Sequence, residues 1–263
     1  MTGLSVVVVV RDEAEMLPGC LARLGFADEV VVVVDDRTVD DSADLARAVG
    51  AAVHEVAFED FAQMKNAALR LATQEWVLLV DADERVSTAL AAEVRAVLEA
   101  PGHDAYEIPV VNYFLGRRMT AGDWTSERPR RLMRRVAAAY TGAVHEQLQV
   151  RGGAGTLDEA LVHFSHRSVG ENLRKAERYG DLSARARLGS GAPAMTSRRL
   201  LWTLARELLR RLVRHRGYRD GFVGVADAVS QATALAAADI RLWELQQSVD
   251  LAEQYRRIDR DLP

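Results

Sequence analysis

The stretch WVLLVDADERV, residues 76–86, runs from five apolar residues, Trp76 to Val80, straight into Asp81, Asp83 and Glu84. A short apolar run that ends this way reads as a buried strand with three carboxylates at its carboxyl tip. Carboxylates held that close repel one another, and each costs free energy to desolvate. The cluster therefore calls for positive charge. Asp-x-Asp offers hard oxygen donors of the kind that hold Mg²⁺ or Mn²⁺. The bland alternative is a turn or a helix cap, where Asp is common after strands.

The elements that must position these groups alternate through the first 110 residues. Leu4–Val10, Glu29–Asp35, Ala51–Val56 and Trp76–Val80 read as strands, the first two as nearly continuous valine runs buried on both faces. Between and after them, Glu13–Leu24, Asp40–Val49, Phe61–Ala72 and Ser87–Leu98 carry helical spacing, with Ser87 as an N-cap. This order predicts a mainly parallel sheet with helices on both faces. Ligands of such sheets bind beyond the carboxyl ends of the strands, where Asp35 and Asp81 stand. Beyond residue 104 shorter strands are expected at Tyr106–Val111, Arg131–Arg135, Leu148–Arg151 and Ala160–Phe164. Residues 168–189, 195–215 and 222–258 read as helices. The expected division is a catalytic domain over 1–167, split into halves 1–103 and 104–167, followed by a helical extension over 168–263.

Composition is that of an ordinary globular protein, with 49% hydrophobic and 27% charged residues. Charge is uneven: 21 acidic against 8 basic side chains in residues 1–110, and 17 against 26 in residues 111–263. An acidic half suits a cation, and a basic half suits phosphate or an anionic membrane surface. The single cysteine, Cys20, rules out an intramolecular disulfide and fits a reducing compartment. Leu4–Val10 is short for an export signal and has no basic flank. Neither a signal nor a membrane span is expected.

An acid-rich turn after the second strand (VVVVDDRTVDDSADLARAVGA) and Asp-x-Asp after the fourth (FAQMKNAALRLATQEWVLLVDADERV) together resemble the GT-A fold of family 2 glycosyltransferases. Further stretches, YEIPVVNYFLGRRMTAGDW, RRLMRR, AVHEQL, LVHFSHRS and YRDGFVG, look like the lipopolysaccharide-core glucosyltransferase subgroup. The resemblance covers Leu4 to about Leu245. It implies a metal-dependent, inverting transfer of a sugar, a UDP-linked hexose, from a nucleotide-sugar donor to a glycan or lipid-linked acceptor of the cell envelope. It also implies a cytoplasmic enzyme that can sit on the inner face of the membrane. By the same resemblance Asp83 ligates Mn²⁺ or Mg²⁺, and Asp81 faces the ribose or reaches the metal. Asp35 accepts from the base, Arg11 and Glu13 line the nucleotide cleft, and Lys65 meets the diphosphate. Asp36, Asp40 and Asp41 read better as turn and cap residues.

Inversion needs a general base for the acceptor hydroxyl. In AGDWTSERPRRLMRR, Glu127 falls where the relatives place an acid, and Asp123 is the other choice; Thr125, Ser126 and Pro129 depart from the family pattern. His145 or His163 is the candidate to join the metal shell, since neutral imidazole suits Mn²⁺. In SRRLLWTLARELLRRLVRHRGYR, residues 197–219, Leu200, Leu204, Leu208 and Leu212 form a stripe, with Leu201, Ala205, Leu209 and Val213 beside it and Arg206, Arg210 and Arg214 opposite. This amphipathic helix either packs on the rest of the protein or meets anionic lipid. No nucleic-acid signature is present. Two other functions stay open: a non-catalytic nucleotide-binding protein of this fold, and an Asp-x-Asp phosphotransferase. The second is disfavoured by Arg85, which stands where such enzymes carry Thr or Val.

Overall fold

The computed structural model describes residues 2–142, 147–150, 152–247 and 250–262. In chain order the elements are β1 (Leu4–Val10), α1 (Leu17–Leu21), β2 (Glu29–Asp35), α2 (Ser42–Ala48), β3 (Ala52–Val56), α3 (Phe61–Leu71), β4 (Trp76–Asp81), β5 (Glu84–Arg85) and α4 (Thr88–Glu99). Then come β6 (Ala105–Glu107), β7 (Val110–Phe114), β8 (Arg117–Arg118), β9 (Arg130–Arg134), β10 (Ala138–Thr141), β11 (Gln147–Val150), β12 (Ala154–Thr156) and β13 (Leu161–His166). The helices α5 (Val169–Gly189), α6 (Ser197–Leu209), α7 (Gly221–Leu245) and α8 (Leu251–Asp261) follow. The described chain divides into two compact units, residues 1–119 with 124–165, and residues 120–123 with 166–263.

The first unit has the GT-A architecture. Its main sheet has the order β12-β6-β9-β4-β1-β2-β3. The strands β1, β2, β3 and β4 are parallel neighbours, and β9 runs against both β4 and β6. Two apolar layers cover the sheet. Val6, Val8, Trp76 and Leu78 face Leu17, Leu90 and Val94, while Val7, Val31, Val77 and Leu79 face Met64 and Ala68. Burial on both faces explains why β1, β2 and β4 read as unbroken apolar runs rather than alternating ones. A second sheet, β5-β13-β7-β8, sets β13 beside the residues that follow Asp83.

Several expected elements are trimmed for local reasons. The helix expected over 13–24 shrinks to α1, which carries Pro18 at its start and Gly19 within it. The strand expected over 106–111 becomes β6 and β7, separated by Ile108 and Pro109, since proline cannot donate to a ladder. Ser87 caps α4 by accepting from Leu90 N at 3.0 Å. Asp41 holds the N-cap position of α2 without a side-chain bond, and Asp40 satisfies the first N–H of the helix instead: it accepts from Ser42 N at 3.0 Å and Ser42 Oγ at 2.6 Å, and from Ala14 N at 2.8 Å, which ties the loop after β1 to the start of α2.

In the second unit α5 and α6 pack against α7. The segment Gly217–Leu245 is long and apolar enough to cross a membrane by length and composition, contrary to expectation. It nevertheless buries two carboxylates with partners inside the unit. Asp239 accepts from Arg187 Nη1 at 2.7 Å and Thr203 Oγ1 at 2.7 Å, and Asp227 pairs with Arg211 at 3.5 Å. Both acids therefore face α5, α6 and the turn after α6 within the unit, where their partners offset the cost of burial.

Cys20 is buried in the first apolar layer, with Sγ 3.6 Å from the carbonyl of Asp81. Burial, reinforced by the nearby Glu84, Asp81 and Asp83, pushes its thiol up to about 12 despite Arg85. The native protein is therefore expected to resist iodoacetamide at pH 8 and to react once denaturant opens the core. Rapid labelling of the folded protein would contradict this packing.

Candidate active site

The three carboxylates of the strand tip divide into two roles. Glu84 turns inward and is 1% exposed. It accepts from the backbone N–H of Asp81 at 2.8 Å, which closes the turn on itself. Arg131 Nη2 donates to Glu84 Oε1 at 2.8 Å and to Asp81 Oδ2 at 2.6 Å. So the positive charge that the cluster demands comes in part from the protein. The antiparallel course of β9 puts it there: Leu132 lies opposite Leu78 and Met133 opposite Val77, so the start of β9 reaches the carboxyl end of β4. Burial works against the charge on Arg131, but the two carboxylates keep it firmly protonated. Burial also pushes Asp81 upward, yet Arg131, Lys65 and His163 outweigh it and hold the carboxyl well below the usual range. Burial dominates at Glu84, which is pushed up to about 7 against the pull of Arg131.

Asp83 belongs to a second group. His163 Nε2 lies 3.4 Å from Asp83 Oδ2, brought there by the pairing of β13 with β5, in which His163 stands opposite Glu84. His163 Nδ1 lies 2.7 Å from Asn112 Oδ1, and Asn112 Nδ2 donates to Glu127 Oε2 at 3.1 Å. The direction of this line follows from chemistry. Asn112 turns its amide N–H₂ to the carboxylate of Glu127 and its carbonyl to the imidazole. The Nδ1 of His163 then carries a hydrogen, and Nε2, which faces Asp83, donates to it when the imidazole is charged and is a ligand atom when it is neutral. Glu127, Asn112, His163 and Asp83 thus form one continuous polar line, and Asn112 at its centre is 1% exposed. Burial lowers the pKa of His163, but Asp83, Glu84 and Asp81 together raise it above the ordinary value.

A carboxylate oxygen and an imidazole nitrogen that converge are donors suited to Mn²⁺, and the tautomer is the one a ligand needs. Among the described residues no three His, Cys, Asp or Glu side chains gather into a self-sufficient metal site. The donor set fits an ion completed by a substrate's phosphates. His145 and its neighbour Glu146 lie outside the described residues.

Of the remaining candidates, Asp35 and Arg11 sit at the ends of the adjoining strands, Glu13 in the loop after β1, and Lys65 on α3. Asp35 closes β2, and both of its oxygens hold Arg37: Nε to Oδ1 at 2.8 Å and Nη2 to Oδ2 at 2.6 Å. Burial raises the Asp35 pKa, but these bonds and the Arg37 N–H bring it below the ordinary value. The guanidinium also lies 3.9 Å from the centroid of the Phe58 ring. Arg11 follows β1, with Nε 4.0 Å from Asp35 Oδ2. Glu13 donates its backbone N–H to Ser42 Oγ at 3.0 Å. Lys65, on α3, stands 5.3 Å from the centroid of Tyr140 and contributes to the field at Asp81. Asp123, the other candidate base, is engaged within the second unit by Arg210 at 2.6 Å, Arg211 at 3.3 Å and His215 Nδ1 at 2.8 Å.

Arg131, Asn112 and Arg37 were not anticipated. Asn112 had a readable signal. In VVNYF the buried positions of β7 are Val110, Asn112 and Phe114, so an amide occupies an apolar place in the alternation.

The family model described as Glycosyl transferase family 2 matches residues 5–148. The lipopolysaccharide core biosynthesis glycosyltransferase LpsC of Rhizobium meliloti is 27% identical over 238 residues, 87% of this chain and 87% of that one. A TPR repeat-containing protein of Synechococcus elongatus is 34% identical over 109 residues, 41% of this chain; the match spans 27% of that longer relative. Among solved structures, S. aureus TarS 1–349 in complex with UDP-GlcNAc is similar at 14% identity, with a TM-score of 0.48 and coverage of 97% of this chain and 92% of that one.

Proposed function

Because the chain belongs to glycosyl transferase family 2, we propose that it moves a hexose from a UDP-linked donor, with inversion and with the aid of Mn²⁺ or Mg²⁺, to a glycan or lipid-linked acceptor of the cell envelope. The observation that carries this reading is the polar line from Glu127 through Asn112 and His163 to Asp83. It joins a candidate base to a candidate metal ligand within one unit.

In this reading Asp83 and His163 Nε2 would hold the cation together with the donor's diphosphate. Such an ion would neutralise charge on the departing nucleoside diphosphate. Asp81 faces the ribose, fixed in place by Arg131, and Lys65 meets the diphosphate. The base and ribose lie along Arg11, Glu13 and Asp35. A base that bonds to Asp35 must share that carboxylate with Arg37 or displace it. Glu127 takes the proton of the acceptor hydroxyl as it attacks the anomeric carbon, and the Asn112 amide holds Glu127 oriented for that transfer. Asp123 is a weaker candidate for this step because three basic side chains already hold it. The name of the Rhizobium meliloti relative supports an envelope acceptor. A cytoplasmic enzyme at the inner face of the membrane would meet both the donor and a lipid-linked acceptor.

The test is a thermal-shift panel of UDP, GDP, dTDP and CDP, each with Mn²⁺, with Mg²⁺ and with EDTA. A ligand at a hundred times its dissociation constant stabilises the native state by about 2.7 kcal/mol. UDP with Mn²⁺ or Mg²⁺ is expected to raise the melting temperature, and EDTA to remove the effect. No shift with any nucleotide would overturn the donor reading. Binding without turnover on any glycan acceptor would favour a non-catalytic nucleotide-binding protein.

A further inference from the structure

The helix α6 and the turn that continues it to Arg214 present an outward face of unusual composition. Leu201 is 64% exposed, Trp202 65%, Leu209 61% and Val213 64%. At about 100° per residue, Arg198, Trp202 and Arg206 fall on the same arc as Leu201 and Leu209. The neighbouring row of Leu200, Leu204, Leu208 and Leu212 is half-buried, so it is the inner row. Leucines and arginines are therefore interleaved on one side rather than opposed, and Arg210 turns inward to Glu207 and Asp123.

The charge of this face selects its partner. Between Ser197 and Arg219 the sole acid is Glu207, which is buried and held by Arg210 and Arg211. Arg198, Arg206 and Arg214 are exposed and form no ion pair among the described residues. A second copy of the chain would bring like charges together across a two-fold axis. A simple polyanion would have no use for exposed Leu201, Trp202 and Leu209. A surface that takes an apolar row and several cations at once is an anionic bilayer, where arginines reach the phosphates over their own aliphatic stems.

We propose that the outward face of α6, Leu201, Trp202 and Leu209 with Arg198, Arg206 and Arg214, lies in the interface of an anionic lipid membrane. This deepens the reading of a membrane-side enzyme by naming the contact. Vesicle binding and nucleotide binding are measured separately, so either can fail alone.

The full-length protein is sedimented with vesicles of phosphatidylcholine, and with vesicles of three parts phosphatidylcholine to one part phosphatidylglycerol. Binding is expected to the mixed vesicles only, together with tryptophan quenching by brominated acyl chains that Trp202→Phe removes. Each arginine at the surface is worth about fivefold in partition, so R198Q/R206Q/R214Q should bind about a hundredfold more weakly. Replacing Leu201, Trp202 and Leu209 by serine should abolish binding, while the far-UV circular dichroism spectrum and the ligand-free thermal melt of each variant report that both remain folded. The proposal is overturned by absence of binding to mixed vesicles. It is equally overturned by binding that survives the serine variant, or by a dimer in solution that shields Trp202.

Discussion

Replacing Asp83 by Asn is expected to lower sugar transfer by about 100- to 1,000-fold and to erase the Mn²⁺-dependent thermal shift with nucleotide, while the protein remains folded. The expected size follows from removing one preorganised electrostatic contact to charge that develops in the transition state. The fold should survive because Asn keeps the shape of the side chain. The structural duties of the turn also fall elsewhere: Glu84 closes it, and the backbone carbonyl of Asp83 accepts from Phe164 N at 2.9 Å. Transfer rates and melting curves are measured on the same preparation, with and without EDTA. Full transfer by the variant in metal-free buffer would remove the metal from the proposed mechanism. Asn112→Leu makes a useful companion, because it cuts the polar line at its centre without touching Asp83 or Glu127 directly.

What could be read from the sequence was what is local. The strand β2 falls on Glu29–Asp35 as expected, because a valine run between polar boundaries has few other conformations available. The helix expected over 222–258 is instead α7 and α8. Asp250 accepts from Ala252 N at 2.7 Å and opens the second helix with Glu253 three residues on, an N-terminal signature set within an otherwise continuous helical pattern. The tail shows the same limit. Its helical period was legible, but the direction each row faces depends on α7 and on the Glu207 pairs, so of the arginines expected opposite the leucines Arg206 shares the exposed arc of Leu201 and Leu209, and Arg210 turns inward. At the site, Asp81 and Asp83 announce themselves because a strand and its tip are contiguous in sequence. Arg131 and Asn112 do not, since their positions depend on sheet order. Arg131 reaches Asp81 only because β9 inserts antiparallel between β4 and β6. The buried carboxylates required a cation, and the arginine-rich strand held one, but only the pairing of β9 with β4 connects the two.

That connection predicts the largest stability effect in the molecule. Arg131→Met removes the guanidinium that holds Asp81 ionised and that pulls Glu84 down to about 7, so Asp81 loses its partner and Glu84 is driven to its protonated form. Breaking a buried ion pair from one side costs about 3–5 kcal/mol, far more than the pair itself contributes relative to an apolar replacement. In a protein of this size that is a fall of roughly 10 °C in melting temperature. The asymmetry supplies its own control. Arg131→Met combined with Glu84→Gln removes the carboxyl that must take up a proton and keeps an amide that can still accept from Asp81 N. The double variant should regain most of the loss, with a coupling energy of about 1–3 kcal/mol between the two positions. Denaturant melts of wild type, both single variants and the double variant give that coupling directly. If Arg131→Met alone melts within about 1 kcal/mol of wild type, Glu84 has another source of compensation, and the strand tip is not held by Arg131. If the cycle shows strong coupling, the acids of the strand tip have separate duties. Arg131 then secures Glu84 and Asp81 as the frame, and Asp83 is left to face His163 and the substrate.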